Sequence, residues 1–170
     1  SKRHPTMSET PKAYIFDLDG TLVDSLADLA TAVNRMLADH GYPTCPVSQF
    51  PEYIGDGMKK LVERALPPEA RIPETIERCA QAYLERYEDC WHQETRVYEG
   101  LADVVQTLRE SGARLGVLSN KPHRFTQLCA DFFFPQGTFD MVLGQRDHVP
   151  RKPDPAAGLE MAAFLGLSPR

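Results

Sequence analysis

At 170 residues the chain is long enough to bury a core, and its length fits one domain or one domain carrying an insertion. Hydrophobic residues make up 42% and charged residues 25%, the balance of an ordinary globular protein, while a net charge of −5 without a basic stripe argues against a nucleic-acid partner. No run approaches the ~18 apolar residues of a membrane span, and no signal peptide is visible. Cys45, Cys79, Cys90 and Cys129 are scattered with no Cys-x-x-Cys spacing, so they read as reduced thiols of a cytoplasmic protein.

Residues 12–16 predict a short strand, apolar on both faces as in the centre of a covered parallel sheet. From Leu26 the period becomes helical: Leu26, Leu29, Ala30, Val33, Met36 and Leu37 share a stripe that ends at Gly41 and Pro43. A helical turn over 47–54 leads to the loop Gly55-Asp56-Gly57, which serves either to connect helices or to face a substrate. Helices follow at about 57–66, closed by Pro67-Pro68, and at 73–91, where Tyr83, Tyr87 and Trp91 are expected in a helical core. After Gly100 the pattern alternates: helix 101–111, strand 114–118, helix 123–132, strand 139–143 and a last helix over 155–165. Such alternation predicts a parallel sheet with ligands gathered at the carboxyl ends of its strands.

The chemistry concentrates at those ends. The first strand runs into Asp17-Leu-Asp-Gly-Thr-Leu-Val-Asp-Ser25, where the two-residue period of extended chain aims Asp17 and Asp19 at one spot. Close carboxylates repel, so a packed core has no use for the pair, whereas a cation and an anionic substrate do. Gly20 permits a tight turn, and Thr21 can hydrogen-bond back to the loop. Ser119 and Asn120 fall just after the second strand, and Lys152 lies in Arg151-Lys-Pro-Asp-Pro155. The histidines show no ligand spacing.

Together, Asp17–Ser25, Leu118-Ser-Asn-Lys-Pro122 and Arg151–Pro155 resemble three motifs of the haloacid dehalogenase superfamily, in the right order around a helical insertion of the right size. Ile54-Gly-Asp-Gly-Met-Lys-Lys-Leu-Val-Glu-Arg-Ala-Leu66 resembles the cap segment of its phosphoglycolate phosphatase-like branch. The resemblance implies an α/β fold, a Rossmann-like core over 7–25 and 97–170 with an inserted α-helical cap over 26–96. It also implies a Mg²⁺-dependent phosphomonoester hydrolase for a small phosphorylated metabolite, with 2-phosphoglycolate the best guess.

In that scheme Asp17 is the nucleophile and a metal ligand. Asp19 is the acid/base, its carbonyl a second metal ligand, and Ser119, Asn120 and Lys152 hold phosphate. Gly55, Asp56 and Gly57 form the substrate loop. A sugar-phosphate mutase of the same superfamily and a non-catalytic phosphate-binding module are the alternatives; dehalogenase chemistry would leave Asp19 superfluous. The family pattern continues past residue 165 with a strand carrying further acids. The resemblance therefore implies a truncated chain with a weakened metal site and little activity. Its first strand would form an exposed edge that invites self-association.

Overall fold

The computed structural model describes residues 13–167; the expected core residues 7–12 and the final positions 168–170 lie outside that range. The elements are β1 (Ala13–Phe16), β2 (Val23–Asp24), α1 (Leu26–Asp39), a 3₁₀ turn (Val47–Glu52), α2 (Met58–Ala65), a second 3₁₀ turn (Pro68–Ala70) and α3 (Pro73–Cys90). They continue with β3 (Arg96–Val97), α4 (Leu101–Glu110), β4 (Arg114–Pro122), α5 (His123–Phe133), β5 (Met141–Gln145) and α6 (Ala156–Phe164). No helix among the described residues is long and apolar enough to cross a membrane. All four cysteines are free thiols.

β1, β4 and β5 form a parallel sheet in the order β1-β4-β5, with Tyr14 beside Leu115 and Val117 beside Val142. The central strand is β4, buried from Leu115 to Lys121. Among the described residues β1 pairs on one side only, and Ile15 on it is 41% exposed, so the run that is apolar on both faces like a central strand lies at the edge that the family resemblance implied.

Two boundaries differ from the sequence reading for identifiable reasons. β4 continues past Leu118 to Pro122 through a register shift, and such irregularities re-aim side chains at the ends of strands. β5 starts at Met141 and not Phe139, because Asp140 is captured by β4: its N–H donates to the Leu115 carbonyl at 2.7 Å, and its carboxylate accepts the Leu115 N–H at 2.9 Å. Phe139 packs edge-on against Phe134 instead, with ring centroids 5.1 Å apart.

The helical insertion has its own apolar cluster, drawn from α1, α2, α3 and the first 3₁₀ turn, to which α5 contributes Phe125. Phe50, Met36 and Leu66 in it are essentially fully buried, each stabilising by about 1.5–3 kcal/mol relative to exposure. A second cluster lies between the sheet and α4 and α5, and a third under α6. The chain passes between insertion and sheet through β2 and β3, an antiparallel pair with Val23 opposite Val97 and Asp24 opposite Arg96. Sequence reading missed this ribbon because two residues per strand carry no periodicity. Buried Asp28, in the first turn of α1, fixes the returning strand by accepting the N–H groups of Glu94 and Thr95 and the Thr95 hydroxyl, at 2.6–3.0 Å.

At Gly144 a side chain has nowhere to go. A Cβ there would sit 2.4 Å from the His123 Cα and 2.6 Å from the Lys121 carbonyl oxygen. Gly144→Ala must therefore push β5 away from the β4–α5 corner, destabilising by about 1–3 kcal/mol, read as a lower urea midpoint.

Asp140 also makes stability depend on pH. Burial alone would raise its carboxyl, but the Arg109 guanidinium at 2.7 Å and the Leu115 amide outweigh that and hold it below the usual carboxylate range. A depressed folded value contributes stability that is complete above the unfolded value of about 3.9 and is lost as pH falls through the folded one. Asp140→Asn is expected to unfold more easily than the parent chain at pH 7. The gap should close below about pH 4 in equilibrium unfolding.

Candidate active site at the strand ends

The alternation of β1 carries past its last residue. Leu18 is 0% exposed and anchors the loop in the core, so Asp17 and Asp19 on either side of it face outward into a cleft. The Leu18 carbonyl accepts the N–H groups of Thr21, Leu22 and Val23 at 2.9–3.2 Å, and Gly20 adopts φ 80° to make the turn. Thr21 thus bonds back to the loop through its amide.

Each carboxylate has its own ammonium. Asp17 Oδ1 accepts the Leu18 N–H at 2.8 Å and lies 3.5 Å from Lys152 Nζ, which also donates to the Leu118 carbonyl at 2.7 Å. Asp19 Oδ1 accepts the Ser25 hydroxyl at 2.6 Å and Lys121 Nζ at 3.1 Å, with Oδ2 3.3 Å from the same ammonium. Separate cations beside two carboxylates close in sequence offset their mutual repulsion. Ser119 Oγ accepts the Lys121 N–H at 3.1 Å, which leaves its own proton available to an acceptor in the cleft.

The Asn120 side chain is fully engaged. Its oxygen accepts the Lys152 N–H at 2.8 Å, and its amide donates to the Lys152 carbonyl at 3.2 Å and the Gly55 carbonyl at 3.0 Å. One amide therefore ties the β4 end to the Lys152 loop and to the helical insertion. Gly55 and Gly57 face the cleft, but Asp56 does not. Its carboxylate turns to Arg64 at 2.6 Å, whose guanidinium holds it below the usual carboxylate range, while its carbonyl accepts Arg151 Nη1. Asp56 thus shapes the loop without presenting its charge to the cleft.

The floor of the cleft is polar (Asp17, Asp19, Ser119, Asn120) and its roof apolar (Leu29, Ile54, Met58, Leu61, Tyr83), and the cleft is open to solvent. That lining suits a small ligand with one strongly polar end. Sequence reading missed Lys121, Ser25 and the placement of Tyr83 and Tyr87, which reach the site from the expected helical core. A signal for Lys121 existed, since it follows Ser119 at the same two-residue spacing that relates Asp17 to Asp19.

The half-exposed Asp17 carboxylate is a hard oxygen donor of the kind Mg²⁺ takes, along with retained waters and a substrate phosphate. Among the described residues no cluster of three or more His, Cys, Asp or Glu side chains surrounds a common point. Of the cleft's side chains, the Asp17 carboxylate is the one that would suit such a metal.

The family profile for haloacid dehalogenase-like hydrolases matches residues 14–170. The chain belongs to that family. It is 36% identical over 163 residues to phosphoglycolate phosphatase 1 of Pseudomonas aeruginosa, covering 94% of this chain and 60% of that protein. It is 35% identical over 161 residues to a phosphoglycolate phosphatase of Psychrobacter arcticus, covering 91% of this chain and 70% of that one. A crystal structure of a predicted phosphoglycolate phosphatase from Haemophilus somnus superposes with a TM-score of 0.84 at 28% identity, covering 92% of this chain and 72% of that one. The chain thus spans about 60% of the length of the Pseudomonas relative.

Removing the Asn120 clamp should loosen two segments at once. In Asn120→Ala the Lys152 N–H loses its acceptor, and its hydrogen exchange is expected to quicken about tenfold, as the loss of one such bond predicts. Unchanged protection at Lys152 would contradict the clamp.

Proposed function

We propose that the chain forms the phosphate-handling part of a Mg²⁺-dependent phosphomonoester hydrolase acting on a small phosphorylated metabolite, with 2-phosphoglycolate as the substrate. The observation that carries the reading is the pair Asp17 and Asp19 on one cleft wall, each beside its own lysine, with the Ser119 hydroxyl between strand ends. The names of the relatives from Pseudomonas and Psychrobacter supply the substrate. The division into a core of 7–25 and 97–170 and a cap of 26–96 belongs to the same proposal. It is supported by the β2–β3 ribbon at the boundary and by the separate apolar cluster of the helices. Four free thiols suit a reducing, cytoplasmic setting.

Phosphate monoesters hydrolyse so slowly unaided that a covalent route through a protein nucleophile is an effective way to divide the barrier. An Asp17 oxygen attacks phosphorus while the ester P–O bond breaks, and Asp19, which enters this step carrying a proton, gives that proton to the leaving alkoxide and is left as the carboxylate. In the second half Asp19 takes a proton from water, which attacks the same phosphorus. The bond to Asp17 then breaks, freeing inorganic phosphate and restoring the carboxylate. Lys152 and the Ser119 hydroxyl stand where the phosphoryl oxygens carry their charge. Asn120 acts by fixing the Lys152 backbone and the Gly55 carbonyl, since its own side chain has no spare donor. Mg²⁺, held by Asp17 and the Asp19 carbonyl, supplies charge neutralisation at the transferring group when bound.

The test is Mg²⁺-dependent phosphate release from 2-phosphoglycolate. Asp17→Asn is expected to lower the rate at least about a thousandfold, the scale of losing a covalent nucleophile. Release at the parent rate would remove Asp17 from the chemistry.

A further inference from the structure

Lys121 takes no part in the two-step scheme above, yet its side chain is only 3% exposed. A lysine is almost never buried without a partner, because an ammonium out of water needs its charge and protons met. Burial here works against the charged form, but the Asp19 carboxylate, with smaller contributions from Cys129 and Tyr83, more than offsets it. The group therefore stays an ammonium with its pKa above the ordinary lysine value.

The partners come from opposite directions. On the strand-end side are both oxygens of Asp19, at 3.1 and 3.3 Å. On the insertion side is Tyr87 of α3, whose hydroxyl accepts from Lys121 Nζ and whose ring centroid lies 4.4 Å from it. Tyr87 is 1% exposed, and burial, then the Asp19 charge, pushes its phenol well above the ordinary value, so it stays neutral. It is held rigidly, stacked on Tyr83 with centroids 5.6 Å apart and packed on Phe125 of α5 at 4.9 Å. No described hydrogen bond joins Tyr87 to Asp19 directly. The hydrogen-bonded path between them runs through the lysine.

We propose that Lys121 is a positioning residue that couples the seating of the helical insertion, through Tyr87, to the orientation of the Asp19 carboxylate. With α3 docked on α5, the Tyr87 hydroxyl fixes the ammonium, and the ammonium fixes both Asp19 oxygens against Ser25. With α3 displaced, Lys121 loses that anchor and Asp19 keeps only the Ser25 hydroxyl as a fixed donor. Acid/base transfer then becomes efficient only when the insertion closes the cleft. The inference rests on the hydrolase reading for the role of Asp19, but the connection itself is readable without turnover.

The experiment is a double-mutant cycle of Tyr87→Phe and Asp19→Asn, followed by equilibrium unfolding without metal or substrate. The double variant should depart from the product of the single effects on the unfolding constant by more than about twofold; agreement within about twofold, the usual additivity of unconnected sites, overturns the coupling. Repeating the cycle in Lys121→Met should restore additivity, and a persisting interaction there also overturns it. The wild-type cycle decides alone if that variant does not fold. In the phosphate-release assay Tyr87→Phe should lower kcat several-fold with KM within about twofold, the signature of lost positioning and not of lost binding. An additive cycle alongside an inactive Asp17→Asn would sink the coupling and leave the hydrolase standing. A chain that releases no phosphate but shows the coupled cycle would do the reverse.

Discussion

Two carboxylates at the end of one strand repel each other, and the arrangement of the molecule around them is the answer to that repulsion. In a partly desolvated cleft that repulsion costs more than in water, and it falls where cations stand close to the carboxylate oxygens. Local sequence cannot supply them, because the Asp17–Ser25 loop contains no basic residue. Lys121 arrives from the end of β4, 102 residues from Asp19, and Lys152 from the loop before α6. The parallel pairing of β1 with β4 and of β4 with β5 is what brings those two loops to the same edge.

What the sequence announced and what it concealed divide along this line. Asp17 and Asp19 were legible because their spacing, their strand and their Gly20 turn are all local, and so was the alternation that predicts a parallel sheet. Ser119 and Lys152 could be placed through resemblance, by their order in the chain. The partners of Asp19 could not, since nothing local distinguishes Ser25 from a helix-capping serine or Tyr87 from its neighbours on the α3 stripe. Asp56 misled for the complementary reason: an acid between two glycines reads as a ligand group, but its nearest cation, Arg64, sits two turns along the next helix and claims it. The start of β5 was misplaced because Phe139 fits the apolar pattern, while the capture of Asp140 by Leu115 that ends the turn is a contact across the sheet.

The helical insertion is held over the strand ends by contacts of unequal character. Trp91 packs edge-on against Phe132 and Phe133, and Tyr87 against Phe125, so the far end of α3 rests on aromatic surface of α5. Glu88 and Arg124 add a bidentate pair in water, which contributes little. At the near end, polar bonds from Asn120 and Arg151 hold the Gly55–Gly57 loop. Apolar contact is tolerant of small rotations, whereas hydrogen bonds are strict in distance and angle. A small rocking of the helices would therefore be felt first at the polar end, over Lys152 and Ser119.

The β2–β3 ribbon has a consequence for how such a molecule can diversify. The chain leaves the sheet at Asp24 and comes back at Arg96, directly opposite, with Asp28 gripping the return strand. Whatever lies between those two points is a closed loop as far as the sheet is concerned, and the entropy of closing it grows only with the logarithm of its length. Helices could be lengthened, exchanged or replaced wholesale there without β1 or β4 shifting. The ribbon is a socket: it lets the helices over the cleft be redrawn while the carboxylates and lysines at the strand ends stay where they are.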